Sequence, residues 1–322
     1  MSAAGLKAPF IWFGGKRRVA PLVWSALGDV DNYVEPFAGS LAALLARPSW
    51  HRGRAETVND ADLHLTNFWR ALAADPDGVA FHADWPVNEA DLFSRHLWLV
   101  NEGKARIAGL EADPDFYDVK VAGWWVWGIN AWIGSGWCSG TGPWIADEEG
   151  KRPHLGNAGR GVNRQLPHLG NAGREPPVYG YMRALADRLR RVRVCCGDWS
   201  RVVTNGALNY GGTVGVFLDP PYLGDVRTAD LYAVDDHTIS TEVARWAVDH
   251  GNNPRLRIVL AGYVDEHDHI IPPGWRRHRY SASLGYGTTA GGGQNSVNRH
   301  KETLWFSPGC LHDTPTLFGE AP

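Results

Sequence analysis

Asp219-Pro220-Pro221-Tyr222 follows five apolar residues, Val214 to Leu218. An apolar run closed by prolines predicts a buried strand. A carboxylate at its carboxyl end stands where doubly wound sheets bind their ligands. The two prolines stiffen the turn. The Asp219 carboxylate and the Pro220 carbonyl can each accept one hydrogen of an exocyclic amine, drawing the nitrogen lone pair out of conjugation with its ring. Tyr222 offers a face on which that ring can stack. The pattern suits a planar base bearing an amine; the plainer alternative is a strand-to-turn junction.

Tyr33-Val34-Glu35-Pro36-Phe37-Ala38-Gly39-Ser40 reads as a strand, a small-residue turn and a helix start. In that layout backbone N–H groups can meet a ligand, although one glycine also makes an ordinary turn. Asp60 ends the next predicted strand, where an acid can hold ribose hydroxyls or belong to a helix-capping turn with Asp62.

These residues need a parallel, helix-covered sheet to position them. Apolar spacing predicts helices over Lys16–Leu27 and Ser40–Ala46, and a third that starts at Asp62 and carries Leu63, Leu65, Phe68, Trp69 and Leu72. Strand ends fall at Tyr33-Val34 and Thr57-Val58. From about Asp75 to Pro177 the periodicity is helical, without clear strands. That stretch contains a duplication: Pro153-His154-Leu155-Gly156-Asn157-Ala158-Gly159-Arg160 recurs at Pro167 to Arg174. Two short copies are too few for a solenoid and read as a duplicated turn or surface loop. Strand and helix patterns then return: helices over Arg183–Arg191 and Ile239–Val248, strands over Val192–Cys196, Val214–Leu218 and Arg257–Leu260, and a late strand over Lys301–Phe306 paired with one near Arg279–Leu284. The fold class is α/β, with residues 1–74 and 178–322 forming one sheet and 75–177 inserted between them. An insertion on a rigid sheet is where substrate selection would sit.

Composition narrows the function. The 322 residues are 44% hydrophobic and 21% charged, which excludes a disordered or collagen-like chain. Thirty-two basic against 35 acidic residues leave a net charge of −3, so nucleic-acid contact requires a local patch. Cys138, Cys195, Cys196 and Cys310 form no CxxC pair or finger spacing, which argues against a metal and for reduced thiols in a cytoplasm-like compartment. No signal peptide or membrane-length apolar run is expected.

Phe10-Ile11-Trp12-Phe13-Gly14-Gly15-Lys16, then Glu35-Pro36-Phe37-Ala38-Gly39-Ser40, Asn59-Asp60, a long insertion and Asp219-Pro220-Pro221-Tyr222 resemble the Dam-like, alpha-class DNA adenine-N6 methyltransferases. The resemblance implies a Rossmann-like methyltransferase sheet split by a mainly helical, loop-rich target-recognition domain. It also implies S-adenosylmethionine as donor, double-stranded DNA as substrate, and a cytoplasmic enzyme of bacterial or phage origin. It places Trp12, Lys16, Glu35, Phe37, Gly39, Asp60, Asp198 and Trp199 around the donor. Asp60 would hold the ribose; Asp198 and Trp199 would meet the adenine. Asp219, Pro220, Pro221 and Tyr222 would be catalytic. Leu41 stands where the family often has a second glycine. Related readings are cytosine-N4 or RNA-base methylation, or a non-catalytic DNA-binding relative; a protein-glutamine methylase more often has Asn in place of Asp219.

Between Lys151 and Arg193 stand ten basic residues and two acids, a net +8. Lys151, Arg152, Arg160, Arg164 and Arg174 lie in the insertion and are the candidate DNA contacts. Six of the 16 tryptophans (Trp124, Trp125, Trp127, Trp132, Trp137 and Trp144) crowd the same insertion. They read either as a core joining it to the sheet or as a wall beside a flipped nucleotide. Gly285 to Gly293 lacks a Walker ending and reads as a loop. Pro315-Thr316-Leu317-Phe318 resembles a sliding-clamp-binding peptide.

Overall fold

The computed structural model describes residues 6–10, 12, 15–48, 54–113, 115–132, 137–138, 178–209, 211–221, 236–280 and 302–312. Tyr222, Lys151, Arg152, Arg160, Arg164, Arg174, the duplicated segment, Trp144, the 285–293 stretch and the 315–318 tail lie outside them.

Seven strands form one sheet: β1 (Asn32–Glu35), β2 (Ala55–Asp60), β3 (Val192–Cys196), β4 (Val214–Leu218), β5 (Leu256–Tyr263), β6 (Arg276–Tyr280) and β7 (Glu302–Phe306). Their order is β3-β2-β1-β4-β5-β7-β6. The first five are parallel neighbours, while β7 runs antiparallel to both β5 and β6. This mostly parallel sheet is of the Rossmann-like methyltransferase kind. The chain leaves β1 toward β2 and β3 on one side, then returns to β4 and β5 on the other. The gap between the carboxyl ends of β1 and β4 is therefore the topological switch point, where such sheets bind ligands.

Both faces of the central strands are covered, so β4 and β5 are apolar nearly throughout. Val214, Val216 and Leu218 of β4 join one buried layer, and Phe217 joins the other. Leu256, Ile258 and Leu260 of β5 likewise oppose Val259 and Ala261. One layer receives α1 (Ala20–Leu27), α2 (Ala42–Leu45), α3 (Leu63–Ala74) and α8 (Val178–Leu189). The other receives α9 (Asn205–Leu208) and α10 (Asp236–His250); the one-turn α11 (Val264–His267) follows β5. Asp62 caps α3, accepting from the N–H groups of His64 and Leu65, as its position before the apolar run predicts. The expected Lys16–Leu27 helix is divided into a 3-10 turn at Lys16–Arg18 and α1, which Pro21 enters in its first turn.

The described part of the insertion is helical: α4 (Pro76–Ala83), α5 (Glu89–Trp98), α6 (Lys104–Ile107) and α7 (Val119–Ala131). Its tryptophans form a core shared with the first α/β segment. The Trp125 ring meets Phe10 at 5.1 Å and Phe68 of α3 at 5.7 Å between centroids. Trp137 lies against the Cα of Gly128, where a side chain would collide with its ring, and donates from Nε1 to the Trp125 carbonyl at 3.1 Å. The Arg95 guanidinium lies 4.2 Å over Trp127 and 5.1 Å from Trp124. The helices are thus held by aromatic packing with cation–π contacts between them.

The basic run is not one solvated face. Arg188 of α8 is buried and pairs with Glu56 of β2, donating to its oxygens at 2.7 and 2.9 Å. Arg47 donates to the same carboxylate at 3.0 Å. Arg183 pairs with Asp77 at 2.7 Å. Arg188 is therefore an internal counter-charge unable to meet a phosphate. Arg188→Ala is expected to cost about 3 kcal/mol or more in urea unfolding, because it strips one of two cations from a buried carboxylate. A loss under about 1 kcal/mol would show that Arg47 alone suffices.

Candidate active site

The carboxyl ends of β1, β2, β3 and β4 line one edge of the sheet, and the predicted residues gather there. Glu35 is the last residue of β1, Asp60 of β2, and Asp219 follows β4 directly. Asp198 follows β3 after the single residue Gly197. The parallel pairing makes this convergence unavoidable, since strands that run the same way end at the same edge.

Asp219 meets the N-terminal segment. Lys16 is buried, and its Nζ lies 3.0 Å from Asp219 Oδ1 and 3.9 Å from Glu302 Oε2. The first contact is a close ion pair and the second a looser one. Lys16 follows Gly15, whose N–H donates to the Trp12 carbonyl at 3.2 Å. Trp12 itself lies over Gly39: a Cβ there would approach the indole Nε1 to 2.7 Å. With φ at +46°, Gly39 occupies backbone space that suits glycine for two independent reasons.

The 36–41 turn is pinned from β2. Asp60 accepts the Gly39 N–H at 2.9 Å on Oδ2 and the Asp62 N–H at 3.0 Å on Oδ1. Its carboxylate is thus part of the loop scaffold. Asn59, which the resemblance names beside Asp60 without a role, ties two loops together. Its buried amide donates to the Pro36 and Gly197 carbonyls, both at 3.0 Å. The Asn59 Oδ1 is buried and accepts no hydrogen bond among the described residues. Leu41 adopts the left-handed conformation, φ 57° and ψ 27°, with its side chain fully buried. The backbone keeps a form that favours glycine, at a cost of roughly 1–2 kcal/mol, while the leucine contributes to the core.

Glu35 is enclosed. The Tyr33 hydroxyl donates to its Oε2 at 2.9 Å. Burial raises the Glu35 carboxyl to about 8, and the Asp219 and Asp60 charges push the same way, against hydrogen bonds from Tyr33 and the Leu44 backbone. The group is mostly protonated at neutral pH, so an arriving cation would find a proton to displace.

Asp198 caps the 3-10 turn Trp199–Val202, accepting the Ser200 N–H at 2.9 Å and the Ser200 hydroxyl on Oδ1. The adjoining Trp199 is buried with Phe37 on one side, ring centroids 6.1 Å apart and near parallel. Trp246 of α10 meets it edge-on at 6.2 Å. The structure thus brings Trp12, Lys16, Glu35, Phe37, Gly39, Asp60, Asp198, Trp199, Asp219, Pro220 and Pro221 to one side of one sheet.

Residues 12–96 match the family model described as D12 class N6 adenine-specific DNA methyltransferase. This stretch, about a quarter of the chain, is similar to the D12 class of adenine-N6 DNA methyltransferases. No curated protein matches the chain. The match takes in Trp12, Lys16, Glu35, Phe37, Gly39 and Asp60, and ends before Asp219. The Lys16–Asp219 ion pair joins the matched segment to the end of β4. The family implies DNA as substrate and S-adenosylmethionine as methyl donor, and the donor set here fits that cation: Glu35, Asp60 and Asp198 are acids strung along one strand edge, beside an unsatisfied Asn59 oxygen. Among the described residues no helix is long and apolar enough to cross a membrane.

Proposed function

We propose that the protein methylates the N6 amine of adenine in double-stranded DNA at specific sites, with Asp219 and Pro220 as the amine-orienting groups. The observation that carries this reading is the bond between Lys16 and Asp219 at the β1–β4 switch point. It joins a recognised adenine-methyltransferase segment to an Asp-Pro-Pro-Tyr turn.

The adenine must leave the duplex stack to reach the site. Asp219 and the Pro220 carbonyl then each accept one amine hydrogen, and Tyr222 stacks on the base. When bound, S-adenosylmethionine supplies a methyl group on a sulfonium, whose S–C bonding electrons stay with sulfur. The amine lone pair forms the new N–C bond, and the amine afterwards releases one proton. Most of the acceleration comes from holding the nucleophile in line and from negative groups near the nitrogen as it becomes positive. Glu35, Asp60, Asp198 and Trp199 hold the donor, with Trp12, Phe37 and Gly39 shaping the turn beside it. Lys151, Arg152, Arg160, Arg164 and Arg174 supply phosphate contacts.

The test is methylation of unmethylated genomic DNA, digested to nucleosides and read by mass spectrometry. N6-methyladenine is the expected product. N4-methylcytosine alone would move the target to another base, and binding of S-adenosylmethionine without any product on DNA would count against the reading.

A further inference from the structure

Glu302 opens β7, and the strand register sets it between Tyr263 of β5 and Tyr280 of β6. Because β7 is antiparallel to β5, its first residue lies at the edge where the parallel strands end. The Glu302 side chain is 12% exposed and stands 3.9 Å from Lys16 Nζ. The same ammonium, 5% exposed, bonds Asp219 at 3.0 Å. One buried cation is thus shared by two carboxylates, one following β4 and the other opening β7.

Resting on the reaction proposed above, we infer that Glu302 is a positioning residue for methyl transfer, holding Lys16 and adding a negative charge beside the neutral Lys16–Asp219 pair. The charges require a third member. Lys16 and Asp219 alone cancel, and a carboxylate neutralised by an adjacent ammonium is a poor acceptor for an amine that is turning positive. With Glu302 the trio carries a net charge of −1, in a partly buried setting where water screens little. The amine nitrogen gains positive charge as its bond to carbon forms, so a net negative group favours that state over the ground state. Glu302 also opposes a full shift of Lys16 onto Asp219, leaving the ammonium held from two sides.

The experiment compares Glu302→Gln and Glu302→Asp with the wild type on unmethylated genomic DNA. Calorimetry of S-adenosylmethionine binding and thermal melting are run on the same preparations. Glu302→Gln is expected to lower kcat about 10-fold to 100-fold, less than removal of a direct contact. KM for DNA and the calorimetric Kd should stay within about threefold, and Glu302→Asp should recover most of the loss by restoring the charge. A Gln variant with wild-type kcat overturns the inference. So does an equal loss in both variants with weakened donor binding or a lowered melting temperature, which is what a general packing defect gives. An inactive wild type would remove the proposed reaction itself; an active wild type beside an undiminished Gln variant would remove Glu302 alone.

Discussion

Asp219→Asn is expected to lower DNA methylation by about 100-fold to 1,000-fold or more, with S-adenosylmethionine bound within about threefold of the wild-type affinity. The substitution keeps the shape of the side chain but replaces one acceptor oxygen by an amide donor. At 3.0 Å from the Lys16 ammonium, the remaining oxygen must face Lys16. The amine hydrogens would then meet a donor where the wild type offers an acceptor. In the proposed site the donor is held at the β1, β2 and β3 ends, which the change leaves intact. Asp219→Ala should be equally inactive, but it removes the 3.0 Å counter-charge of the buried Lys16 and should also melt earlier. Mass spectrometry of digested DNA, calorimetry and melting curves separate these effects. Near-wild-type methylation by the Asn variant would remove Asp219 from the reaction.

Glu35→Gln should make the protein more stable at pH 8 and a worse binder of its donor. The Glu35 carboxyl is raised from 4.5 to about 8 by burial. Between those values the folded state holds a proton that the unfolded chain has released. Stability therefore falls as pH rises through that window, by roughly 1.4 kcal/mol per pH unit, and the loss is complete above the folded value. A glutamine cannot titrate, mimics the protonated acid, and can still engage the Tyr33 hydroxyl. Its melting temperature should match the wild type near pH 5 and exceed it at pH 8. In exchange the site loses a carboxylate that can ionise against the donor's positive charge, and donor affinity should fall about tenfold or more, as for a lost charged hydrogen bond. Calorimetry of the wild type near pH 7 in buffers of different ionisation enthalpy should show proton release on binding S-adenosylmethionine, and the variant should show none. Equal pH dependence of melting in the two proteins would mean that Glu35 is ionised in the free enzyme.

Much of the sheet was legible because local signals suffice for it. The apolar runs Val192–Cys196 and Val214–Leu218 became β3 and β4 with unchanged bounds, and Asp62 announced α3 by a bond that reaches only three residues. The alternation of strands and helices then dictated that their ends, and so the acids on them, would share an edge. What was not legible depends on partners far apart in the chain. Counting charge placed Arg188 in a basic run, yet its partner Glu56 stands 132 residues away and turns it inward. The Asn59 amide reaches Gly197 across 138 residues. Leu41 gives no sign in its own chemistry of a left-handed backbone. The tryptophans of α7 read in the sequence first as core and second as a wall beside a flipped nucleotide, and Phe10 and Phe68 against Trp125 make that ring part of the core.

The place of β7 has a consequence for how the protein comes into being. Residues 302–306 are the last strand among the described residues, yet they lie between β5 and β6. On the ribosome, β5 and β6 must wait with unpaired backbone edges until that strand has left the exit tunnel. Such an interval is one in which a nascent sheet can pair with a neighbour's instead. The strand that ends this wait begins with Glu302, so the buried Lys16 receives its second counter-charge only when the sheet closes. Assembly of the sheet and arming of the site are then a single late event, and a chain caught before it would be both adhesive and inactive.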